Sequence, residues 1–326
     1  MTTRGLPTAV GLAAGYVADA AFGDPRRGHP VAVFGRAALT LERGVWADSR
    51  ARGACYTVAG VTAATALGVA VRVATARSPL ARAAATGLVT WAVLGGRGLA
   101  SEGETMAVLL DESTSDGDLT AARARLSHLC GRDARELDAG GLARAATESI
   151  AENTSDAVVA PLLWGGVAGV PGMLAYRALN TLDAMVGHRS PRYRRFGWAS
   201  ARGDDLANVL PARFSATATA ACAPLVGGRP RAALRAWARD SARHPSPNAG
   251  PVEASFAGAL GVRLGGLNRY GAAVEDRGQL GTGPAPGPGD LRRSVRLSRA
   301  VGLAALAGGC VAALLRGAVA ERGVRR

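Results

Sequence analysis

The fold of this chain is decided by the stretch Glu148-Ser149-Ile150-Ala151-Glu152-Asn153-Thr154-Ser155-Asp156, which an uncharged run follows from Ala157 to Tyr176. On a helix, Glu148, Glu152 and Asp156 are spaced i, i+4 and i+8, so their carboxylates share one face. Like charges at this spacing repel and weaken an isolated helix. A divalent cation is the expected agent that offsets the repulsion. The stretch therefore predicts an acidic helix face that leads into an apolar segment.

The same region contains a short internal repeat. The pattern Ala151-x-Asn153-Thr154-x-Asp156-Ala157-x-Val159 returns as Ala178-x-Asn180-Thr181-x-Asp183-Ala184-x-Val186. Each copy places an amide and a carboxylate at i and i+3, on one side of a helical turn. Coincidence in an alanine-rich chain, or an Asn-Thr helix start at each position, explains the pattern equally well. The repeat alone does not decide between these alternatives.

Composition excludes several kinds of site. The chain has 326 residues and a formal net charge of +14, and its cationic side chains are arginines, because it contains no lysine. A P-loop lysine, a Schiff-base lysine and a pyridoxal-phosphate attachment site are therefore excluded. Bound phosphates would need arginine, backbone N–H groups or a metal. Aromatic residues make up only 5% of the chain, which argues against nucleic-acid binding by base stacking.

Apolar runs alternate with arginine-rich segments along the whole chain. These runs are Leu6–Ala18, Cys55–Val71, Ala83–Gly96, Ala157–Tyr176, Phe214–Gly228 and Val301–Leu315. A membrane-spanning helix needs about 20 apolar residues, and three of the runs come close to this length; buried helices of a soluble protein are the alternative. Strand signals are sparse. The predicted fold is an all-α, multi-pass integral membrane helical bundle in one domain, residues 1–326, with a flexible Gly/Pro loop at about 278–290.

Two apolar runs are poor candidates for straight helices. Ala157–Tyr176 contains Pro161 and Pro171 as well as several glycines, and Phe214–Gly228 contains Pro224. Because proline and glycine interrupt helices, both runs are predicted to be broken or re-entrant. The polar segments beside them are rich in arginine, so the positive-inside bias places them in the cytoplasm.

Three polar loops carry further chemistry. Gly23–Val31 contains Asp24, Arg26, Arg27 and His29 between glycine and proline residues. This composition suits anion and metal binding, or an ordinary helix-ending turn. Phe196–Asp205 ends in two adjacent aspartates, which are typical of a metal site or a helix cap. His244–Gly250 is stiffened by two prolines and is either a substrate-positioning loop or a tight connector.

Together these motifs resemble the CobD/CbiB family. The resemblance rests on Gly23-Asp24-Pro25 with His29-Pro30-Val31, Glu152–Asp156, Asn180–Gly187, Phe196–Arg202 and His244–Gly250, in this order, and it runs from about Val17 to Tyr270. Five motifs in order are far more specific than any one of them. The chain departs from the family pattern at Ala157 and at Pro251-Val252.

The resemblance implies a membrane-bound adenosylcobinamide-phosphate synthase. Such an enzyme joins the free propionate carboxylate of adenosylcobyric acid, a corrinoid, to (R)-1-aminopropan-2-ol or its O-phosphate, with ATP as co-substrate. We expect ATP to phosphorylate the carboxylate before the amine attacks, with Mg²⁺ bridging phosphates. Arg26, Arg27 and Arg202 are expected to hold phosphates, and His29 or His244 to act as the base.

The candidate residues fall into three groups. The catalytic candidates are Asp24, His29, Glu148, Glu152, Asp156, Asp183 and His244. The substrate-binding candidates are Arg26, Arg27, Arg36, Asn153, Asn180, Arg202, Asn248, Arg263 and Asn268. The candidate metal ligands are Glu152, Asp156, Asp183, Asp204 and Asp205.

The expected location is the cell membrane, with the active face in the cytoplasm. The expected partners are the corrinoid, the amine, ATP and membrane lipid, without nucleic acid; a homo-oligomer or association with other membrane proteins of the cobalamin pathway is left open. A Mg²⁺-dependent membrane prenyltransferase is one alternative function, and it would need no ATP. A transporter is the other, with broken helices around a midplane site.

Overall fold

The computed structural model describes residues 5–24, 28–188, 190–270 and 273–324. The first helices are α1 (Leu6–Phe22), α2 (Pro30–Val45), α3 (Arg50–Ala74), α4 (Pro79–Val93), α5 (Gly96–Asp116) and α6 (Thr120–Leu126). They are followed by α7 (Ala139–Thr154), a π-helical turn (Ser155–Val159), α8 (Ala160–Val186), α9 (Trp198–Ala207) and α10 (Val209–Cys222). The chain ends with α11 (Pro230–Asp240), α12 (Ala249–Leu260), strands β1 (Leu264–Tyr270) and β2 (Ala273–Leu280), and α13 (Pro288–Val324). Short 3₁₀ turns at Ala223–Val226 and Ser241–Arg243 follow α10 and α11.

The prediction of an all-α, multi-pass membrane protein is confirmed. In the described part of the chain, four helical segments are long and apolar enough to cross a bilayer: Arg50–Ala74, Ala139–Val186, Val209–Val226 and Pro288–Ala320. They include three of the apolar runs and most of a fourth. At a rise of about 1.5 Å per residue, even an 18-residue segment approaches the thickness of the hydrocarbon core.

One β-hairpin interrupts the helical pattern, which the sparse strand signals do not predict. β1 and β2 pair antiparallel from Leu264 opposite Leu280 to Tyr270 opposite Ala273. A bulge between Gly265 and Leu267 shifts the register. An extra residue of this kind disturbs the alternation of side chains along a strand, so period-2 analysis misses it. The Gly/Pro connection after the hairpin spans residues 281–287.

The predicted break in the apolar run after Asp156 is present. Gly169 in α8 has φ of 70° and ψ of −160°, a left-handed conformation that interrupts the helix, and Pro171 follows two residues later. The run Phe214–Gly228 likewise ends its α-helix at Cys222 and continues as a 3₁₀ turn that contains Pro224. Both interruptions arise from residues that cannot continue a regular helix.

A second irregularity precedes α8. The helix that carries Glu148 and Glu152 ends at Thr154 and gives way to a π-helical turn at Ser155–Val159. The i, i+4, i+8 spacing of an ideal α-helix therefore does not extend to Asp156, because a π turn contains more residues per turn. Single π-helical turns frequently mark functional sites.

Packing divides the chain into two compact units. The first unit comprises Met1–Gly95, Asp156–Asn208 and Ala305–Arg326, and the second comprises Gly96–Ser155 and Val209–Ala304. Each unit is thus assembled from separated segments of sequence. That both belong to one domain remains a prediction.

The first unit is held together by close helix contacts. A Cβ at Gly11 or Gly15 of α1 would lie 2.5 or 2.4 Å from the Cβ of Thr86 or Thr90 on α4. Small residues of this kind let two helix backbones approach closely in membrane proteins. A separate core contains Tyr56 and Phe196, whose ring centroids are 5.2 Å apart.

The second unit is built around α7 and α12. Almost every residue of α12 is buried, including Phe256, and α7 buries Leu142 and Ile150. Burial along the whole length of α12 gives Glu253, its acidic residue, no access to solvent. Other residues of the second unit must therefore offset the cost of removing this carboxyl group from water.

Candidate active site

In the first unit, predicted residues converge around the carboxylate of Asp204 on α9. The side-chain amides of Asn208 and Asn180 donate to its Oδ2 and Oδ1 over 2.9 and 3.3 Å. The Tyr176 hydroxyl lies 2.9 Å from Asn208 Oδ1, and Arg177 Nη1 donates to Asn180 Oδ1 over 3.3 Å. We call Tyr176, Arg177, Asn180, Asp204 and Asn208 the Asp204 cluster. Because two amides hold Asp204 from both oxygens, its carboxylate is oriented before any ligand arrives.

Two further acidic side chains act on the arginine of this cluster. Asp156 and Asp24 lie within electrostatic range of the half-buried Arg177 guanidinium. His29 Nε2 lies 3.8 Å from Asp24 Oδ1. The His29 ring also caps α2, because its Nδ1 accepts the backbone N–H of Val31 over 3.2 Å. In the neutral ring this arrangement leaves the proton on Nε2, next to Asp24.

The contacts described for the other predicted residues of the first unit are different. Arg36 is exposed, and the exposed Arg202 is 3.7 Å from Asp205 one turn away. The side chain of Asp183 packs against Gly187, where an added Cβ would lie 1.7 Å from Asp183 Oδ1. Arg26 and Arg27 lie outside the described residues. The roles predicted for these side chains remain predictions.

An apolar cavity of about 580 Å³ adjoins the Asp204 cluster. Its walls include Phe34, Leu67 and Trp91, with Arg177 among the lining residues, and Pro30 and Val31 follow His29 directly. A large apolar cavity with a few polar groups in its wall is the usual form of a small-molecule site. The first unit thus combines a cavity with oriented polar side chains.

In the second unit, a different group of predicted residues is buried together. Glu148 on α7 accepts from Arg132 Nη2 over 2.6 Å and from the backbone N–H of Gly265 over 2.7 Å. Arg144 Nη1 lies 3.9 Å from the same carboxylate. The side chains of Glu148 and Arg132 are only 1% and 3% exposed, so this pair is removed from water. Its charges are balanced by direct contact.

Next to this pair, Glu253 approaches a histidine and an arginine. Its Oε1 lies 3.5 Å from Arg277 Nη1 and 3.6 Å from His244 Nε2. Burial, reinforced by the neighbouring Glu148 and Glu152, raises the pKa of Glu253 well above its usual range. Burial, together with the Arg277 charge, lowers the pKa of His244 to about 4. At neutral pH His244 is therefore neutral, and its contact with Glu253 is not an ion pair.

The geometry of His244 restricts its chemistry. Its Nδ1 accepts the backbone N–H of Ser246 over 3.0 Å. A neutral imidazole that accepts at Nδ1 carries its proton on Nε2. In this state Nε2 donates towards Glu253 and has no lone pair to take a proton from a substrate. The predicted role of His244 as a base requires the other tautomer, in which Nδ1 donates to the Ser246 carbonyl oxygen 3.3 Å away and Nε2 has a lone pair.

The remaining predicted residues of the second unit differ from one another. Glu152 lies within electrostatic range of Arg277, Glu148 and Arg132. Asn153 donates to the Ser149 carbonyl of its own helix over 2.9 Å. Asn248 accepts from Arg213 over 2.7 Å, and Arg263 is exposed beside a cavity of about 350 Å³.

Asn268 on β1 is distinguished by what its amide lacks. Its side chain is buried, and neither its Oδ1 nor its Nδ2 has a hydrogen-bond partner among the described residues. A buried amide without partners costs about 1–3 kcal/mol. A position of this kind suits a ligand group or a water molecule that both donates and accepts, as the predicted substrate-binding role requires.

The predicted metal ligands do not form a preassembled cage. Among the described residues, no three His, Cys, Asp or Glu side chains are placed to hold a metal ion together. Mg²⁺ that arrives with a nucleotide needs only one or two protein carboxylates, because phosphates and water complete its coordination. The oriented carboxylate of Asp204 fits that smaller requirement. The larger ligand set remains a prediction.

Several residues of these clusters were not among the candidates from sequence. They are Tyr176 and Arg177 in the first unit, and Arg132, Glu253 and Arg277 in the second. The sequence does contain one indication for Glu253, because it is the single charged residue in the segment from Ala249 to Val262. A carboxyl group in such a segment needs a partner elsewhere in the chain, but the sequence does not reveal which arginine supplies it.

Comparison with known proteins gives a consistent result. The profile of the family described as CobD/Cbib protein matches residues 12–298. A cobalamin biosynthesis protein CobD of Mycobacterium tuberculosis (strain ATCC 25618 / H37Rv) is 55% identical over 294 residues, covering 90% of this chain and 92% of the relative. Proteins of the same name from Geobacter metallireducens and Chromobacterium violaceum are 45% and 41% identical, covering 77% and 86% of this chain and 80% and 88% of those relatives. No solved structure gives a significant match.

Proposed function

This chain belongs to the CobD/CbiB family, and from that membership we propose that it is an enzyme of cobalamin biosynthesis. The reaction we propose is amide-bond formation between the free propionate carboxylate of adenosylcobyric acid and (R)-1-aminopropan-2-ol or its O-phosphate, driven by ATP. The family resemblance supplies the reaction. The first unit supplies the arrangement of side chains that supports it.

The observation that carries this proposal is the position of Arg177. Its guanidinium belongs to the Asp204 cluster and also lines the apolar cavity of about 580 Å³. A corrinoid carboxylate combines an apolar body with an anionic group, so it fits a cavity with one arginine in the wall. We assign part of the corrinoid to this cavity and its reacting carboxylate to Arg177.

The proposed chemistry has two balanced steps. The carboxylate attacks the terminal phosphorus of ATP, and a mixed anhydride forms as ADP leaves. The amine nitrogen then attacks the acyl carbon, the amide C–N bond forms, and inorganic phosphate leaves. The ammonium form of the amine must first lose a proton. We assign that proton to Asp24, because His29 Nε2 lies 3.8 Å from its carboxylate and helps to fix its position.

Mg²⁺ bound with ATP would neutralise charge on the phosphates, and Asp204 is the residue that we assign to hold it. Asn180 and Asn208 keep that carboxylate oriented through their amide donors. By the positive-inside bias, we place this face of the protein in the cytoplasm of a cell-membrane enzyme.

The reaction can be tested directly with purified, detergent-solubilised protein. Adenosylcobyric acid, ATP, Mg²⁺ and each amine are incubated with the protein, and the product is identified by its mass. We expect ATP-dependent formation of one amide product. Product formation without ATP, or transport into vesicles without conversion of the substrate, would reject the ligase.

A matched pair of variants tests the assigned site. Asp204→Asn should lower the rate at saturating substrate by at least about 100-fold, because it removes the oriented negative charge. Asp48→Asn should leave the rate unchanged, since Asp48 is an exposed aspartate of the same unit whose side chain lies 3.6 Å from Arg195. Equal activity of the two variants would remove Asp204 from the site while leaving the reaction itself intact.

A further inference from the structure

A second cavity of the first unit is strongly basic and has no part in the proposed reaction. It has a volume of about 630 Å³ and lies where the beginning of α1, the end of α3, the beginning of α4, the middle of α8 and the last part of α13 meet. Four arginines line it: Arg72, Arg77, Arg82 and Arg316. Three threonines, Thr8, Thr75 and Thr86, add hydroxyl groups. No Asp or Glu is among its lining residues.

The arginines of this basic cavity lie together without a neutralising carboxylate among the described residues. None of the four forms an ion pair with a carboxylate in the described part of the chain. Arg72 and Arg82 lie close enough to Arg316 for their charges to repel it. Concentrating positive charge in this way costs free energy. A bound anion would offset this repulsion, because it would attract each of the four guanidinium groups.

Two of the arginines are fixed in place by the fold. Arg316 donates to Thr8 Oγ1 over 3.3 Å and to the Val167 carbonyl over 3.4 Å. The break in α8 accommodates it, because a Cβ on Gly169 would lie 2.9 Å from its Nη1. Arg82 donates to the Ala76 carbonyl over 2.7 Å, while its buried Nε has no partner among the described residues. Arg82 thus retains an unpaired N–H donor.

The surroundings of the cavity indicate the kind of anion. Two segments capable of spanning a bilayer, Arg50–Ala74 and Pro288–Ala320, end at this cavity. Apolar side chains next to it in sequence are exposed: Val73 by 66%, Leu80 by 81% and Val319 by 70%. Exposed apolar residues at the ends of spanning helices fit acyl chains, and arginines there fit lipid phosphates.

We propose that this basic cavity binds the phosphate-bearing headgroup of an anionic phospholipid. Guanidinium groups contact phosphate oxygens bidentately, and the threonine hydroxyls add single hydrogen bonds. The exposed apolar side chains beside the cavity pack against the acyl chains of the same lipid. This site is separate from the Asp204 cluster, and it would hold whether or not the proposed ligase activity does.

The test uses the delipidated full-length protein in detergent, with phosphatidylglycerol as the probe and native mass spectrometry to count bound lipid. We expect retained phosphatidylglycerol, little retained phosphatidylcholine, and no displacement by equimolar inorganic phosphate. Arg82→Gln and Arg316→Gln should each weaken binding about fivefold, the loss expected for one arginine at a membrane surface. Arg43→Gln, which removes an exposed arginine on α2, should bind like the wild type.

Charge-preserving variants separate binding from folding. Arg82→Lys and Arg316→Lys keep the positive charge but lose the bidentate guanidinium, so each should bind phosphatidylglycerol more tightly than the corresponding glutamine variant and less tightly than the wild type, with unchanged helical content by circular dichroism. Equal retention of the two lipids, or wild-type affinity in the Arg82→Gln/Arg316→Gln double variant, would overturn the proposal. Displacement by equimolar inorganic phosphate would show a free-anion site and would likewise overturn the assignment to lipid.

Discussion

The two units treat their buried acidic side chains in opposite ways. In the first unit, Asp204 is half-buried and is held by the neutral amides of Asn180 and Asn208. In the second, Glu148 is fully buried and is neutralised by direct contact with Arg132. An amide orients a carboxylate without cancelling its charge, whereas a guanidinium cancels that charge. The comparison teaches that one acidic side chain can be held by neutral amides while another is held by an arginine charge.

The largest effect is expected when the buried pair of the second unit is broken. Arg132→Met should lower the free energy of unfolding by about 3–5 kcal/mol, because Glu148 would stay buried without its cation. The measurement is chemical or thermal unfolding in detergent. Arg135→Met is the matched control in the same loop; it removes an exposed arginine that pairs with Asp133, and we expect no measurable change. If the Arg132→Met protein is as stable as the wild type but inactive, Arg132 and Glu148 act in the reaction and not in folding.

A second prediction concerns pH and the buried contact between Glu253 and His244. The raised pKa of Glu253 contributes stability below about pH 4.5, its unfolded value, and this contribution is lost as pH rises towards the folded pKa. The lowered pKa of His244 acts oppositely, so stability is gained as pH rises from about 4 to 6.5. Between about pH 4.5 and 6.5 the two effects oppose each other in the wild type.

Glu253→Gln removes the contribution of Glu253 to the pH dependence of stability and leaves that of His244. In this variant the contribution of His244, roughly 3 kcal/mol of added stability between pH 4 and 6.5, is no longer opposed by Glu253. Thermal unfolding across this pH range measures the change. Glu104→Gln, at an exposed position paired with Arg299, should keep the wild-type profile. Identical profiles for Glu253→Gln and the wild type would contradict the assignment.

The smallest expected effect separates the two copies of the internal repeat. Asn180→Ala should lower activity about 10- to 100-fold, because it removes an amide that orients Asp204. Asn153→Ala should leave activity within a few-fold, since that amide donates to a carbonyl of its own helix. The assay is the ATP-dependent reaction, with the rate followed as a function of Mg²⁺ concentration. Equal losses in both variants would show that the repeat acts as a functional unit.

Local sequence was sufficient for much of the architecture. The apolar runs predicted helices of spanning length, and Pro171 with its neighbouring glycines predicted the break in α8. These features depend on residues that are close in sequence, so composition and spacing reveal them. The hairpin was missed because its bulge disturbs the alternation on which strand prediction relies.

The candidate sites were predicted from the sequence less completely than the fold. The sequence identified the acidic and amide residues, and also the motifs that place the chain in its family. It predicted one shared face for Glu148, Glu152 and Asp156, but the π-helical turn after Thr154 ends the regular spacing on which that prediction relied. It also gave no reason to choose Arg177 or Arg132 among the many arginines of the chain.

What the sequence determined by itself was the helical membrane fold, its broken segments and the family. Periodicity and hydropathy depend on residues that are close in sequence, so they can be determined without a structure. Only the tertiary structure decided which charges meet, because the partners of a buried group come from segments far apart in sequence. Arg132 reaches Glu148 and Asn180 reaches Asp204 through packing of separate elements, and that packing determines that an arginine holds the first carboxylate and amides hold the second.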